Sequence, residues 1–312
     1  MPLLSRRQLL LAELEVTYGT DPTPTAGSNA ILVRNIEVTP LEAETVSREL
    51  IRPYLGQSEQ LLAQTRVLIN FEVELAGSGT AGTAPAYGPL LRACSFTETV
   101  SAGVSVTYEP NSDASPKSVT IYFNNDGVLH KATGCRGTFS LNCAVGEIPT
   151  IAFEFTGIYN TPTDVALGSP TYANQADPVV FKQGNTTGFQ VFSYAGCLQS
   201  FSLELANEIV YRELVGCTKE VLITNRAPAG EVMIEAVPVG THNFFTDATG
   251  NSTGNLTFQH GQTAGNIVTF TAGQIDLGNP SYSDEDGIQM LTLPYIATPT
   301  DSGNDELEIV YT

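Results

Sequence analysis

The residues that could do chemistry are few and far apart. His130, His242 and His260 are the three histidines, and none lies within motif spacing of another histidine, a cysteine or a nucleophile. Each reads as a surface or strand residue. The five cysteines, Cys94, Cys135, Cys143, Cys197 and Cys217, form no C-x-x-C pair and are odd in number, which suits buried thiols in a reducing compartment. Asp284-Glu285-Asp286-Gly287 sets oxygen ligands beside a glycine turn, the chemistry of a calcium loop. It lacks the spaced acidic ligands and the bidentate Glu of an EF-hand, and reads as a solvated turn. The sequence has no G-x-S-x-G elbow, no H-E-x-x-H pair and no G-x-x-x-x-G-K-[ST] loop. It therefore offers no catalytic, cofactor-binding or metal residue, and a non-enzymatic protein is expected.

Charge narrows the partners. The chain carries 33 acidic against 14 basic residues, a formal net charge of −19, whereas a surface that grips phosphates needs clustered Lys and Arg. The apolar run Leu9-Leu10-Leu11-Ala12 stops at Glu13, too short for a secretory h-region or a bilayer span. A soluble protein of the cytoplasm in which it is made, without a membrane partner, is expected.

The elements that would position any site are mostly strands. Hydrophobic residues make up 42% of the chain, and 28 Gly and 18 Pro supply many turns. Val67, Ile69, Phe71, Val73 and Leu75 alternate with Asn70, Glu72 and Glu74, the period of a half-buried strand. The period returns at Ile151, Phe153 and Phe155, at Phe201, Leu203 and Leu205, at Val232, Ile234 and Ala236, and at Leu307, Ile309 and Tyr311. Val119–Phe123 and Val128–His130 flank an Asp126-Gly127 turn and read as a hairpin. Pro89 at a first turn, with Tyr87, Leu90, Leu91 and Cys94 on one face, predicts a short helix. A second short helix is expected at Ser5–Leu11, with Ser5 as N-cap.

An internal repeat organises these elements. A shift of 164 residues lays Val46-Ser47-Arg48-Glu49-Leu50-Ile51 on Val210-Tyr211-Arg212-Glu213-Leu214-Val215, with alternating strands before and after each. The expected division is an N-terminal helix and extended arm at 1–30, a first domain at 31–160, a linker at 161–190 and a second domain at 191–312. Residues 76–86, all small or Pro, are expected to bury nothing and to project as a loop.

Several segments together resemble a known family. They are Tyr18-Gly19-Thr20-Asp21-Pro22-Thr23-Pro24, Val46 to Gly56, Phe71 to Gly79 leading to Ala84 to Cys94, Asp126-Gly127, Gly134-Cys135-Arg136-Gly137-Thr138, and Phe153 to Tyr159. With the ending Asn304-Asp305-Glu306-Leu307-Glu308-Ile309, the chain resembles the major tail tube proteins of bacteriophages with long non-contractile tails. The likeness is densest over 16–165 and thinner beyond.

The resemblance implies a mainly β fold: two tandem tube-like β-sandwich domains, each with a short flanking helix, whose sheets join into a continuous β-barrel on oligomerisation. The implied role is a structural virion protein, stacked as rings into an acidic channel that passes double-stranded DNA without specific binding. The two-domain type forms trimeric rings of pseudo-sixfold symmetry, with a hexamer as the alternative. Other partners implied are the tape measure, tail terminator and tail-tip proteins. Candidate self-assembly residues are Gly77, Ser78, Gly79, Thr80, Ala81, Gly82 and Thr83 in the loop, and the equivalent pairs Arg48, Glu49 and Arg212, Glu213. Candidate lumen-facing carboxylates are Glu72, Glu74, Glu306 and Glu308. The competing reading is a carbohydrate- or receptor-binding β-sandwich at a tail tip, which calls for exposed aromatic rings; this chain has no Trp.

Overall fold

Alternation of apolar and polar residues builds the molecule, because every second side chain of a strand faces the same side. The structure, a computed structural model, describes residues 2–113 and 116–312. β1 (Gln8–Leu14) and β2 (Ala30–Ile31) precede a long hairpin of β3 (Arg34–Ser47) and β4 (Gln60–Glu74). Helix α1 (Gly88–Ala93) leads to β5 (Phe96–Ser101), β6 (Ser105–Pro110), β7 (Val119–Asn125), β8 (Val128–Ala144), β9 (Thr150–Tyr159) and β10 (Thr163–Asp164). Next come β11 (Thr186–Val191), β12 (Leu198–Glu204), β13 (Asn207–Arg212), β14 (Glu220–Arg226), β15 (Ala229–Glu235) and helix α2 (Phe244–Thr249). β16 (Thr253–His260), β17 (Val268–Leu277), β18 (Ser281–Glu285), β19 (Ile288–Ala297) and β20 (Glu308–Tyr311) complete the chain.

Two antiparallel ribbons carry the fold, and each crosses from one half of the chain to the other. The first runs β3-β4-β9-β8-β12-β15-β19; β8 joins β12 over five residue pairs, from Ser200↔Ala144 to Glu204↔Ser140. The second runs β5-β6-β20-β17-β16-β11, with β20 bridging β6 and β17. Rings from the two ribbons meet in the core: Phe201 of β12 lies 4.9 Å from Phe258 of β16 and 4.9 Å from Phe270 of β17, and Phe96 of β5 lies 5.6 Å from Phe139 of β8. This is the layered, mainly β arrangement of a sandwich, whose two ribbons join where β19 pairs with β17; among the described residues the sheets are open and form no closed barrel. Fully burying one such aromatic stabilises the fold by roughly 1.5–3 kcal/mol.

The alternating residues named from the sequence face this core, from Val67 to Leu75 and from Phe201 to Leu205. α1 forms where Pro89 allows it, with Leu90 and Leu91 fully buried. Asp126 and Gly127, at φ 48° and 107°, make the two-residue turn between β7 and β8; Asp286 and Gly287, at 52° and 85°, make the same turn between β18 and β19. The acidic run at 284–287 is thus a hairpin turn.

Three expectations need correction. The predicted helix at Ser5–Leu11 is instead the start of β1, which pairs with β7 along its whole length. Leu10 and Ala12 enter the main core while Leu9 and Leu11 enter a smaller cluster with Tyr122 and Leu129. A strand buried on both faces reads as a continuous apolar run, which periodicity cannot tell from a helix. Of the cysteines, Cys94, Cys135 and Cys143 are buried, but Cys197 and Cys217 are exposed. The loop at 76–86 does not project freely: Ala76, Gly77 and Pro85 are buried. Within 161–190, Phe181 is buried and β11 begins at Thr186.

Candidate functional site

The repeated V-x-R-E-L segments occupy matching places, each at the far end of a hairpin. Val46 pairs with Leu61 across β3 and β4, and Val210 pairs with Leu222 across β13 and β14. The first hairpin bends at register shifts near Thr39–Glu44 and at Gln64, φ 52°; the second bends where the strand is interrupted between β12 and β13 at Ala206, φ 51°. From each six-residue helix onward the next elements come in the same order: a strand pair, an Asp-Gly hairpin and a further strand.

The second hairpin is seated on the first half of its own chain. The Arg136 guanidinium, 1% exposed, donates to the Val221 carbonyl at 2.6 Å and the Pro116 carbonyl at 2.8 Å, and pairs with Glu220 at 3.3 Å. Tyr18 lies under that guanidinium, 4.7 Å from ring centre to Cζ, and its hydroxyl accepts from the Val221 amide at 2.6 Å. Burial pushes the Tyr18 phenol up to about 12, against the opposing pull of the Val221 amide and Arg136. The Asn207 side-chain amide donates to the Cys94 and Gly137 carbonyls, each at 2.9 Å. Tyr211 donates to the Thr65 carbonyl at 3.0 Å, at the base of the first hairpin; burial and then the Glu213 carboxylate raise its phenol to about 12.

Tyr18 belongs to an arm fixed by a buried carboxylate. Glu15, 5% exposed, accepts from the Gly19 amide at 2.7 Å, Ser118 at 2.6 Å, Thr120 at 2.7 Å and the Gly134 amide at 2.6 Å. Asp21 continues the anchor, bonded by Tyr122 and paired with Lys131 at 3.2 Å. Burial opposes ionisation of Asp21, but the Tyr122, Thr23 amide and Lys131 bonds prevail and hold its carboxyl below the usual range.

Among the described residues the first hairpin has no such seat. Val46, Leu61 and Leu62 are 53%, 54% and 57% exposed, and Ile51 and Leu55 at the tip are fully so. Arg48 pairs only with Glu59 across its own hairpin, at 3.0 Å, and Glu49 is exposed. At the second tip Arg212 is exposed, and Glu213 pairs with Lys219 at 3.2 Å.

Loop residues 77–83 are partly held in the chain. The Gly77 amide donates to Asn266 Oδ1 at 2.7 Å, the Gly79 amide to the Gly265 carbonyl at 2.9 Å, and the Gly77 carbonyl accepts from Ala176 at 2.9 Å. A Cβ at Gly77 would stand 2.1 Å from the Gly265 carbonyl oxygen, so the small residue allows close backbone contact. Ser78 and Ala81–Thr83 are half-buried, leaving Gly79 and Thr80 exposed.

The four candidate carboxylates are not brought together. Glu72 and Glu74 lie on the outer face of the first ribbon, with Arg34 3.5 Å from Glu74. Glu306 is buried, and Arg226 Nε donates to it at 2.6 Å. Glu308 belongs to β20 of the second ribbon, where burial and then the nearby Glu109 raise its carboxyl. Sequence reasoning missed Glu154, Glu204 and Glu231, which are exposed on the outer face of the first ribbon between core-facing neighbours. The alternation that marked Phe153, Phe155, Leu203 and Val232 as core residues assigns these carboxylates to the opposite face.

A model of phage tail tube proteins matches residues 5–302. The chain belongs to the phage tail tube protein family. The match covers nearly the whole sequence, both hairpins and both short helices included, so the family assignment applies to both halves. No curated protein matches the chain. As a tail tube protein, it has a structural role in the virion tail, in a tube built by self-assembly and joined to other tail proteins. No helix among the described residues is long and apolar enough to cross a membrane.

Proposed function

We propose that this tail tube protein polymerises as stacked rings into a hollow tube that conducts double-stranded DNA, with three two-domain chains in each ring. The junction of β8 with β12 carries this reading: inside one chain the first ribbon already continues from the first half into the second. β3 holds the place in the first half that β12 holds in the second, and among the described residues it pairs only with β4. An unpaired strand edge is a template for another chain. Head-to-tail joining by a heterologous contact closes into a ring when its rotation allows. Chains of two like halves then give pseudo-sixfold symmetry with three copies; six copies are the alternative count.

The outer face of the first ribbon would form the lumen, with Glu72, Glu74, Glu154, Glu204 and Glu231 repelling phosphate and leaving DNA no binding minimum. Buried Glu306 and half-buried Glu308 serve the fold in this arrangement. The exposed tip Gly79–Thr80 and the Arg-Glu pairs at the hairpin ends remain the surfaces proposed for contact between copies. The role is conductive and structural, without catalysis, in the tail of a siphophage-type virion whose proteins are made in the host cytoplasm. The tape measure protein inside the tube and the terminator and tip proteins at its ends complete the proposed partners.

The carbohydrate-binding alternative gains no support, since the exposed rings Tyr54, Tyr172 and Tyr282 lie in separate parts of the chain and share no groove among the described residues. Negative-stain electron microscopy of the purified chain at rising concentration tests the proposal. Hollow fibres of constant diameter are expected; particles that stay single at every concentration would reject it.

A further inference from the structure

The covered hairpin and the bare one differ in what lies beneath them, and the chain carries a second seat that no other described residue fills. In the first half the seat lies between Arg136 on β8 and Thr65 at the base of the first hairpin, and β13–β14 occupies it. The Asp-Gly turns align β8 with β19 along the chain at a shift of 160 residues, which matches Ile296 to Arg136 in sequence; in the sheet β19 lies directly beside β15, whereas β9 separates β8 from β4. The faces agree: Cys135 and Gly137 flank Arg136 on the core side, as Tyr295 and Ala297 flank Ile296. Thr65 has its counterpart near Asn225–Ala227, at the base of the second hairpin.

Those counterparts line one open groove of 440 Å³, formed by Asn225, Arg226, Ala227 and Ile296 among others. Ile296 is 50% exposed there, and a second groove of 630 Å³ opens on its other side. The bare hairpin carries matching chemistry. By register, Leu62 stands where Ile223 stands on the seated hairpin, on the same strand face as the fully buried Val221, and Ile223 itself lines the 440 Å³ groove. Where the occupied seat offers a guanidinium to a backbone carbonyl, the empty seat offers Ile296 and the bare hairpin offers Leu62.

We infer that the outer part of the β3–β4 hairpin docks on the second half of a neighbouring copy in the same ring, with Leu62 against the groove beside Ile296. The occupant is a second copy because the chain's own β3–β4 hairpin is fixed to its first half through β9, while its β13–β14 hairpin is already seated between Arg136 and Thr65. The same contact, made once within the chain and once between chains, is the heterologous step that closes a ring. This inference rests on the proposed ring assembly and names its interface.

Leu62→Asp and Ile296→Asp change side chains that are half exposed in the single chain, so each variant is expected to keep the far-ultraviolet spectrum and melting temperature of the unsubstituted protein. Each should lower the assembled fraction, read by sedimentation, by about ten-fold or more, as loss of a central apolar contact does. A second measurement does not depend on either variant folding well. In a background of Cys197→Ser and Cys217→Ser, a Leu62→Cys chain is mixed with an Ile296→Cys chain and treated with a short bis-maleimide. A covalent dimer that forms from the mixture and not from either chain alone supports the docking. Assembly that survives both aspartate substitutions, or assembled protein that yields no mixed dimer, would overturn it. An unsubstituted chain that never assembles would instead reject the ring proposal itself.

Discussion

The hairpin β13–β14 and the outer hairpin β3–β4 carry the same Val-x-Arg-Glu-Leu segment at their ends, but one is locked down and the other stands clear. Asn207, Arg136 and Tyr18 satisfy backbone groups of the first half of the chain and of β14, and Val221 is fully buried there. Around the other hairpin, Leu61 and Leu62 are left more than half exposed. Sequence likeness therefore sets the hairpin, while its partner sets its environment. Under the proposed docking, a neighbouring copy covers the surface that is apolar in the single chain.

The largest effect should come from unlocking the covered hairpin. Arg136→Met removes a buried guanidinium and leaves the Val221 and Pro116 carbonyls without their donor, an expected loss of roughly 3 kcal/mol in urea unfolding. A loss under about 1 kcal/mol would show that the seat is not held by this residue. Asn207→Ala should cost about 1–3 kcal/mol, since two buried carbonyls lose a donor.

Tyr18 and Tyr211 make the lock sensitive to alkali. Their folded phenols sit near 12, above the ordinary value of 10.0, so the neutral form is favoured in the folded state. Their contribution is whole below pH 10 and is lost as pH rises through about 12. Melting temperatures taken across that interval should fall less steeply for Tyr18→Phe than for the unsubstituted chain; identical slopes would remove Tyr18 from the lock. The smallest effect is expected at the bare hairpin, where Arg48→Ala breaks an exposed pair with Glu59 and should change monomer stability by less than ~0.5 kcal/mol.

Much of the fold was legible because its strands are half buried. The alternation at 67–75 and 201–205, the Pro-led helix at α1 and the Asp-Gly turn at 126–127 are local signals, and the structure follows them. β1 was not legible as a strand, since burial on both faces erased its period. The loop at 76–86 misled for a different reason: glycine serves flexibility and close packing alike, and only the position of Gly265 and Asn266, nearly two hundred residues away, decides between them. The lock itself was visible only as fragments. Tyr18 and Arg136 both lie in segments that mark the family, but their meeting with Val221 depends on the crossing of the two halves. Glu306 looked like a strand-face carboxylate until Arg226 was found against it.

The central claim is that a chain of two like halves makes one junction within itself and the same junction with its neighbour. The native mass of the smallest closed ring tests that claim most directly. Three chains per ring is the predicted result, with six like positions around the channel; a ring of six chains would contradict it.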